Sequence, residues 1–207
     1  MKLWLVRHAQ VLLPPGICYG ATDVADGLGG SLDRERALII MKDSRVGAFG
    51  AIAVGLALLV KVTLLALLGQ LNPELMCVAL FLGHVVSRTW PLLLIRLMPH
   101  VGDAAGSKSK PLADQISGAG LLTAFIWCFG ALALVLYGQD ATEWIALDET
   151  ALALAMPLAG ALLASGLACV VLGRWFWRRL QGFTGDCLGT TQQVCEIAFY
   201  LGLALAL

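Results

Sequence analysis

Four stretches of this chain, 47–69, 75–99, 116–138 and 151–173, stay apolar for long enough to cross a bilayer core, which takes about 20 residues at helical rise. Lipid offers backbone amides and carbonyls no water, so a segment that crosses must pair them internally, as a helix does. The expected fold class is therefore all-α, a polytopic membrane helix bundle with four clear transmembrane helices. A short C-terminal apolar segment, 194–207, leaves three options open: a short span, a re-entrant segment or a helix packed on the others. Composition agrees, with 59% hydrophobic and only 14% charged residues, where soluble domains carry about 25% charged. The 14 basic and 14 acidic residues cancel, so no nucleic-acid partner is expected. Six cysteines without a CxxC pair, three of them inside the apolar stretches, predict buried free thiols rather than a disulfide framework.

Basic residues set the expected orientation, because Lys and Arg in short loops are retained in the cytoplasm. Lys2, Arg7, Arg34, Arg36, Lys42 and Arg45 precede the first stretch, Arg96, Lys108 and Lys110 surround the second-to-third connection, and Arg174, Arg178 and Arg179 follow the fourth. The connections 70–74 and 139–150 hold no Lys or Arg. The N-terminus and the longer polar segments are thus expected to share the cytoplasmic side.

Two polar constellations lie on that side. In the first, Asp23 and Asp26 sit three apart, so on a helical turn they point the same way, followed by Gly27, Gly29 and Gly30. Paired carboxylates suit a hard divalent cation, and glycines let a phosphate-bearing ligand approach the backbone; the plainer alternative is a solvated, flexible Gly/Asp loop. In the second, a helix beginning at Asp186 would place Asp186, Gly189, Gln193 and Glu196 on one stripe, with Gly182 and Gly185 supplying the turn before it. A carboxylate stripe entering membrane depth points to an ion, a cavity or a polar substrate. The plainer alternative is Asp186 acting only as an N-cap. Within the apolar stretches Lys61 and Arg88 are costly charges, so Arg88 is expected to face the interior and either hold an anionic group or pair with an acidic side chain. Lys61 is expected either to snorkel or pair, or to serve function. His84 and His100 are expected to be structural.

The chain also resembles known families. The strings Asp23-Val24-Ala25-Asp26-Gly27-Leu28-Gly29-Gly30, Asp33-Arg34-Glu35-Arg36, Lys42-Asp43-Ser44-Arg45, Ser87-Arg88-Thr89-Trp90-Pro91 and Gly182-Phe183-Thr184-Gly185-Asp186 occur in order. Over residues 23–207 they are similar to the cobalamin synthase (adenosylcobinamide-GDP ribazoletransferase) family. That resemblance implies a Mg²⁺-dependent inner-membrane transferase acting on adenosylcobinamide-GDP and α-ribazole or its 5′-phosphate. It implies Asp23, Asp26 and Asp186 as metal-holding and catalytic residues, with Asp33, Asp43 and Glu196 in reserve. Arg34, Lys42, Arg45, Arg88, Thr184 and Gly185 would be substrate-binding.

Residues 1–24, with Leu5-Val6-Arg7-His8-Ala9, resemble instead the opening of the histidine phosphatase family, specifically α-ribazole phosphatase. The expected organisation is thus a phosphatase-like remnant over 1–22 and an N-terminally shortened synthase-like membrane domain over 23–207. Competing expectations are a catalytically inactive hybrid remnant or structural membrane protein, a transporter or channel suggested by Lys61 and Arg88 within the spans, and a phosphatase acting through His8.

Overall fold

The computed structural model describes residues 34, 38, 48–101, 116–138 and 149–207. Five helices form among them: α1 (Ala48–Leu71), α2 (Pro73–Leu97), α3 (Gly118–Gly138), α4 (Glu149–Leu180) and α5 (Gly185–Leu205). Two units divide within α1, one ending at Leu56 and the other running over Ala57–Leu207. In the first, Arg34 and Leu38 have helical backbone and Arg34 is exposed. Everything that follows concerns the second.

Four helices are long and apolar enough to cross a membrane: Gly50–Leu71, Pro73–Leu97, Gly118–Leu136 and Leu154–Leu180. This is a membrane protein with an all-α fold, as the apolar stretches require. Residues 194–205 of the short C-terminal segment are the second half of α5, a continuous 21-residue helix whose first half is polar. The fourth helix runs seven residues beyond the expected 173, so Arg174, Arg178 and Arg179 lie on its last turns rather than in a loop.

Helix boundaries follow local chemistry. Asn72 divides α1 from α2: its side chain accepts from the Glu74 and Leu75 amides at 2.7 and 3.4 Å, and Pro73 starts the helix where no amide is needed. α4 ends at Gln181, whose φ of 56° reverses the chain. Between α4 and α5 an isolated parallel bridge joins His100 to Phe183. The ends of α2 and α4 therefore lie together, with Arg96, Arg178 and Arg179 in their last turns.

The core lies where α5 packs on α4 and α2, with Leu82, Val86, Leu158, Ala161, Phe199, Tyr200 and Leu203 all buried. Close approach of α4 and α5 depends on Gly202, where a Cβ would meet Ala164 Cβ at 2.7 Å and the Gly160 carbonyl at 2.8 Å. Small residues let membrane helices pack without the solvent-driven term available in water. A polar relay pins the same three helices: Trp90 Nε1 donates to Ser165 Oγ at 2.9 Å, and Ser165 Oγ donates to the Cys195 carbonyl at 2.9 Å. Of the described cysteines, Cys128, Cys169, Cys187 and Cys195 are buried free thiols, while Cys77 is exposed, against expectation. Its position on the α2 surface leaves it facing outward. Cys18 lies outside the described residues.

Replacing Ser165 with Ala removes both bonds of the relay and leaves the Trp90 N–H unpaired in an apolar setting. Thermal unfolding of the purified protein should show a loss of about 1 kcal/mol; Ser165→Ala with unchanged stability would mean the relay holds nothing together.

Candidate functional site

The Gly182–Asp186 motif is held by backbone. Phe183 N donates to the Pro99 carbonyl at 3.0 Å and Val101 N donates to the Phe183 carbonyl at 2.9 Å, fixing the α4–α5 turn to the chain just past α2. Gly182 is required at this crossing, because a Cβ there would fall 2.4 Å from the Pro99 carbonyl oxygen and 2.5 Å from Val101 Cγ1. His100 packs edge-on against Phe183 with ring centroids 5.3 Å apart, a structural role as expected.

From this turn α5 rises. Its N-cap is Thr184, not Asp186: the Thr184 side chain accepts from the Cys187 amide at 3.4 Å, and its hydroxyl reaches Cys187 Sγ at 3.3 Å. Thr184 is buried and its hydroxyl is engaged in the cap. Burial pushes the Cys187 thiol up, with the Thr184 hydrogen bond opposing. Asp186 stands in the first turn, where the amides at the helix start favour negative charge. Gly185 is exposed, with open space where a side chain would project. Such a start, uncluttered and rich in N–H donors, can receive a phosphate.

Further along, the expected stripe runs from the partly exposed Asp186 through exposed Gly189 and Gln193 to Glu196, which is only 1% exposed. Glu196 is the centre of a polar cluster near the middle of the helices. Lys61 Nζ lies 2.8 Å from Glu196 Oε1 and donates to Gln193 Oε1 at 3.1 Å. The Tyr200 hydroxyl donates to the same Glu196 oxygen at 2.9 Å. His84 Nδ1 stands 3.5 Å away, an ion pair only when the imidazole is protonated. Glu196 Oε2 is buried without a partner among the described residues. Lys61 is thus paired through its ammonium, and His84, half exposed on the cluster's rim, is not sealed in the interior.

Arg88, one turn beyond His84, is exposed, and its Nη1 donates to the His84 carbonyl at 3.1 Å. Its side chain is exposed rather than buried in the bundle core, yet its charge lies close enough to act on the Tyr200 hydroxyl beside Glu196. Its motif neighbour Trp90 points to Ser165 instead, so that string is partly structural.

The carboxylates do not form one metal site in this unit. Among the described residues no three His, Cys, Asp or Glu side chains gather to hold an ion. Asp186 and Glu196 lie about 15 Å apart along the helix axis, and Glu196 already faces the Lys61 ammonium. Asp186 is therefore the described member of the expected set, a hard oxygen donor suited to Mg²⁺. Asp23, Asp26, Asp33, Lys42, Asp43 and Arg45 lie outside the described residues, as does His8.

Sequence reasoning treated Lys61, His84 and Glu196 separately and missed Ser165 and Tyr200. The signal that could have joined the first three was their shared rarity: each is an ionisable group far from either end of its helix.

The chain matches the protein family described as Cobalamin-5-phosphate synthase over residues 18–204. A protein named adenosylcobinamide-GDP ribazoletransferase from Albidiferax ferrireducens is 72% identical over 188 residues, covering 91% of this chain and 67% of the relative. One of the same name from Polaromonas naphthalenivorans is 61% identical over 91% of this chain and 67% of its own length. A third, from Polaromonas sp., is 58% identical, covering 98% of this chain and 72% of the relative. No solved structure matches the chain. Because the third alignment takes in 98% of the chain and the family match begins at residue 18, the phosphatase-like reading of 1–24 finds no support.

Substituting Gly182 by Val forces the turn off the Pro99 carbonyl and displaces the start of α5. The purified variant should lose any ligand binding or activity that depends on Asp186 while retaining helix content by circular dichroism; a fully active Gly182→Val protein would show that the bridged turn does not position the site.

Proposed function

This chain belongs to the cobalamin-5-phosphate synthase family, and from that premise we propose that it transfers adenosylcobinamide phosphate from adenosylcobinamide-GDP to α-ribazole or its 5′-phosphate. The observation that carries the reading is 72% identity to a ribazoletransferase across 91% of the chain. The ribazole hydroxyl oxygen attacks the phosphorus on the cobinamide side of the pyrophosphate. The bond to the second phosphate breaks, GMP leaves with the electron pair, and the hydroxyl proton passes to a carboxylate. Displacement of this kind depends chiefly on positioning and charge neutralisation.

The chain's own groups supply both. The start of α5 offers backbone N–H donors to phosphate oxygens, and Gly185 leaves them accessible. Arg34, Lys42, Arg45 and Arg88 offset charge on the substrate's phosphates and on the departing GMP. Asp23, Asp26 and Asp186 would hold Mg²⁺, which when bound neutralises the phosphate oxygens. Supporting this assignment are the hard-oxygen chemistry of the three side chains and the position of Asp186 on the first turn of α5. The protein acts in the inner membrane with the basic helix ends and the N-terminus on the cytoplasmic side, a reading supported by the gathering of Arg96, Arg178 and Arg179 at one end. The phosphatase-like reading of the first 24 residues forms no part of this proposal.

Membranes containing the chain, given adenosylcobinamide-GDP, α-ribazole and Mg²⁺, should release GMP, and Asp186→Asn should reduce that release on the order of a hundredfold. Release that survives the substitution, or that ignores removal of Mg²⁺, would remove Asp186 from the chemistry. No release from inserted wild-type protein would contradict the transferase reading itself.

A further inference from the structure

Along the lipid-facing side of α2 and α4 runs a groove of about 450 Å³. Its walls are apolar, with Leu93 and Leu97 from α2 and Val170 and Trp177 from α4. Leu97, Val170 and Trp177 are each more than half exposed, which in water would be a liability and in a bilayer is a surface for acyl chains. At one end stand Arg174 and Arg178, both exposed.

Those two guanidiniums are the unusual feature. They lie four apart on one helix, so they share a face, and like charges at that spacing repel by a few tenths of a kcal/mol. Among the described residues the ion pairs fall on Glu196, and neither arginine is matched with a carboxylate. A bridging anion would turn the repulsion into attraction, and a phosphodiester accepts from two guanidiniums in the geometry they favour. Arg179 follows them in the last turn of α4 and Arg96 stands in the last turn of α2, while the apolar groove is lined by Arg174 and Arg178 themselves. Its floor is kept open at Gly173, where a Cβ would come within 3.1 Å of Leu94 Cδ2.

We propose that the α2–α4 groove is a binding site for an anionic phospholipid, with the phosphate on Arg174 and Arg178 and an acyl chain along Leu97, Val170 and Trp177. Charge complementarity selects the headgroup and the apolar wall selects a lipid over a soluble phosphate. Asp186 does not line the groove, and the proposal does not depend on the transferase reading.

The test is native mass spectrometry of the full chain in detergent, offered equal amounts of phosphatidylglycerol and phosphatidylcholine with identical acyl chains. Wild type should retain phosphatidylglycerol in preference. The Arg174→Gln/Arg178→Gln variant should lower that preference on the order of 30-fold, while Arg96→Gln, outside the groove, keeps it. Gly173→Val narrows the groove without touching charge and should also lower retention. Equal retention of the two lipids by wild type, or an undiminished preference in the double variant, would overturn the proposal. So would undiminished retention in Gly173→Val, which would mean charge alone attracts the lipid. Binding of inorganic phosphate by wild type without retention of phosphatidylglycerol would assign the arginines to a soluble anion instead.

Discussion

A carboxylate sealed inside an apolar helix bundle has to find its counter-charge there, and Glu196 finds it in Lys61. Isolated, either charge at this depth carries a penalty of several kcal/mol. Together, with the Tyr200 hydroxyl on the same oxygen, they form a pair whose members come from α1 and α5. That pair constrains rotation of both helices: Lys61 can reach Glu196 only if α5 turns its Gln193–Glu196 edge toward α1. The same rotation sets which way the first turn of α5, with Asp186, is presented.

A second device fixes the height of that turn. The two backbone bonds between Phe183 and the Pro99–Val101 segment leave space for no side chain at position 182. The Trp90–Ser165–Cys195 relay then ties α2, α4 and α5 in their middle. Each device pairs polar groups that lipid would otherwise leave unpaired, so the packing of this bundle and the placement of its polar residues are one problem. Family membership supplies the reaction; these pairings supply the rigidity that a displacement at phosphorus needs from groups set at fixed positions.

Much of the fold was legible because it follows from composition along a line. Long apolar runs must be helices in a bilayer, whatever their neighbours, and all four appeared within a few residues of their expected positions. Their ends were less legible, since Arg174 to Arg179 look like a loop by charge yet continue α4 by propensity. The Thr184 cap was missed because Asp186 is an equally good capping residue two positions on, and only the turn at Phe183 decides between them. Lys61 and Glu196 were both conspicuous, but 135 positions separate them and no periodicity within one helix can pair residues across two. Ser165 carried no signal at all: one small hydroxyl in an apolar run becomes meaningful only when Trp90 is seen to reach it.

The most direct test of this account is a double-mutant cycle on Lys61 and Glu196, read by unfolding of the purified protein. Lys61→Met leaves a buried carboxylate without its cation and should destabilise by about 3–5 kcal/mol, whereas Lys61→Met combined with Glu196→Leu should recover most of that loss. Additive effects, with the double variant as unstable as the sum of the singles, would contradict the claim that this buried pair orients the helices.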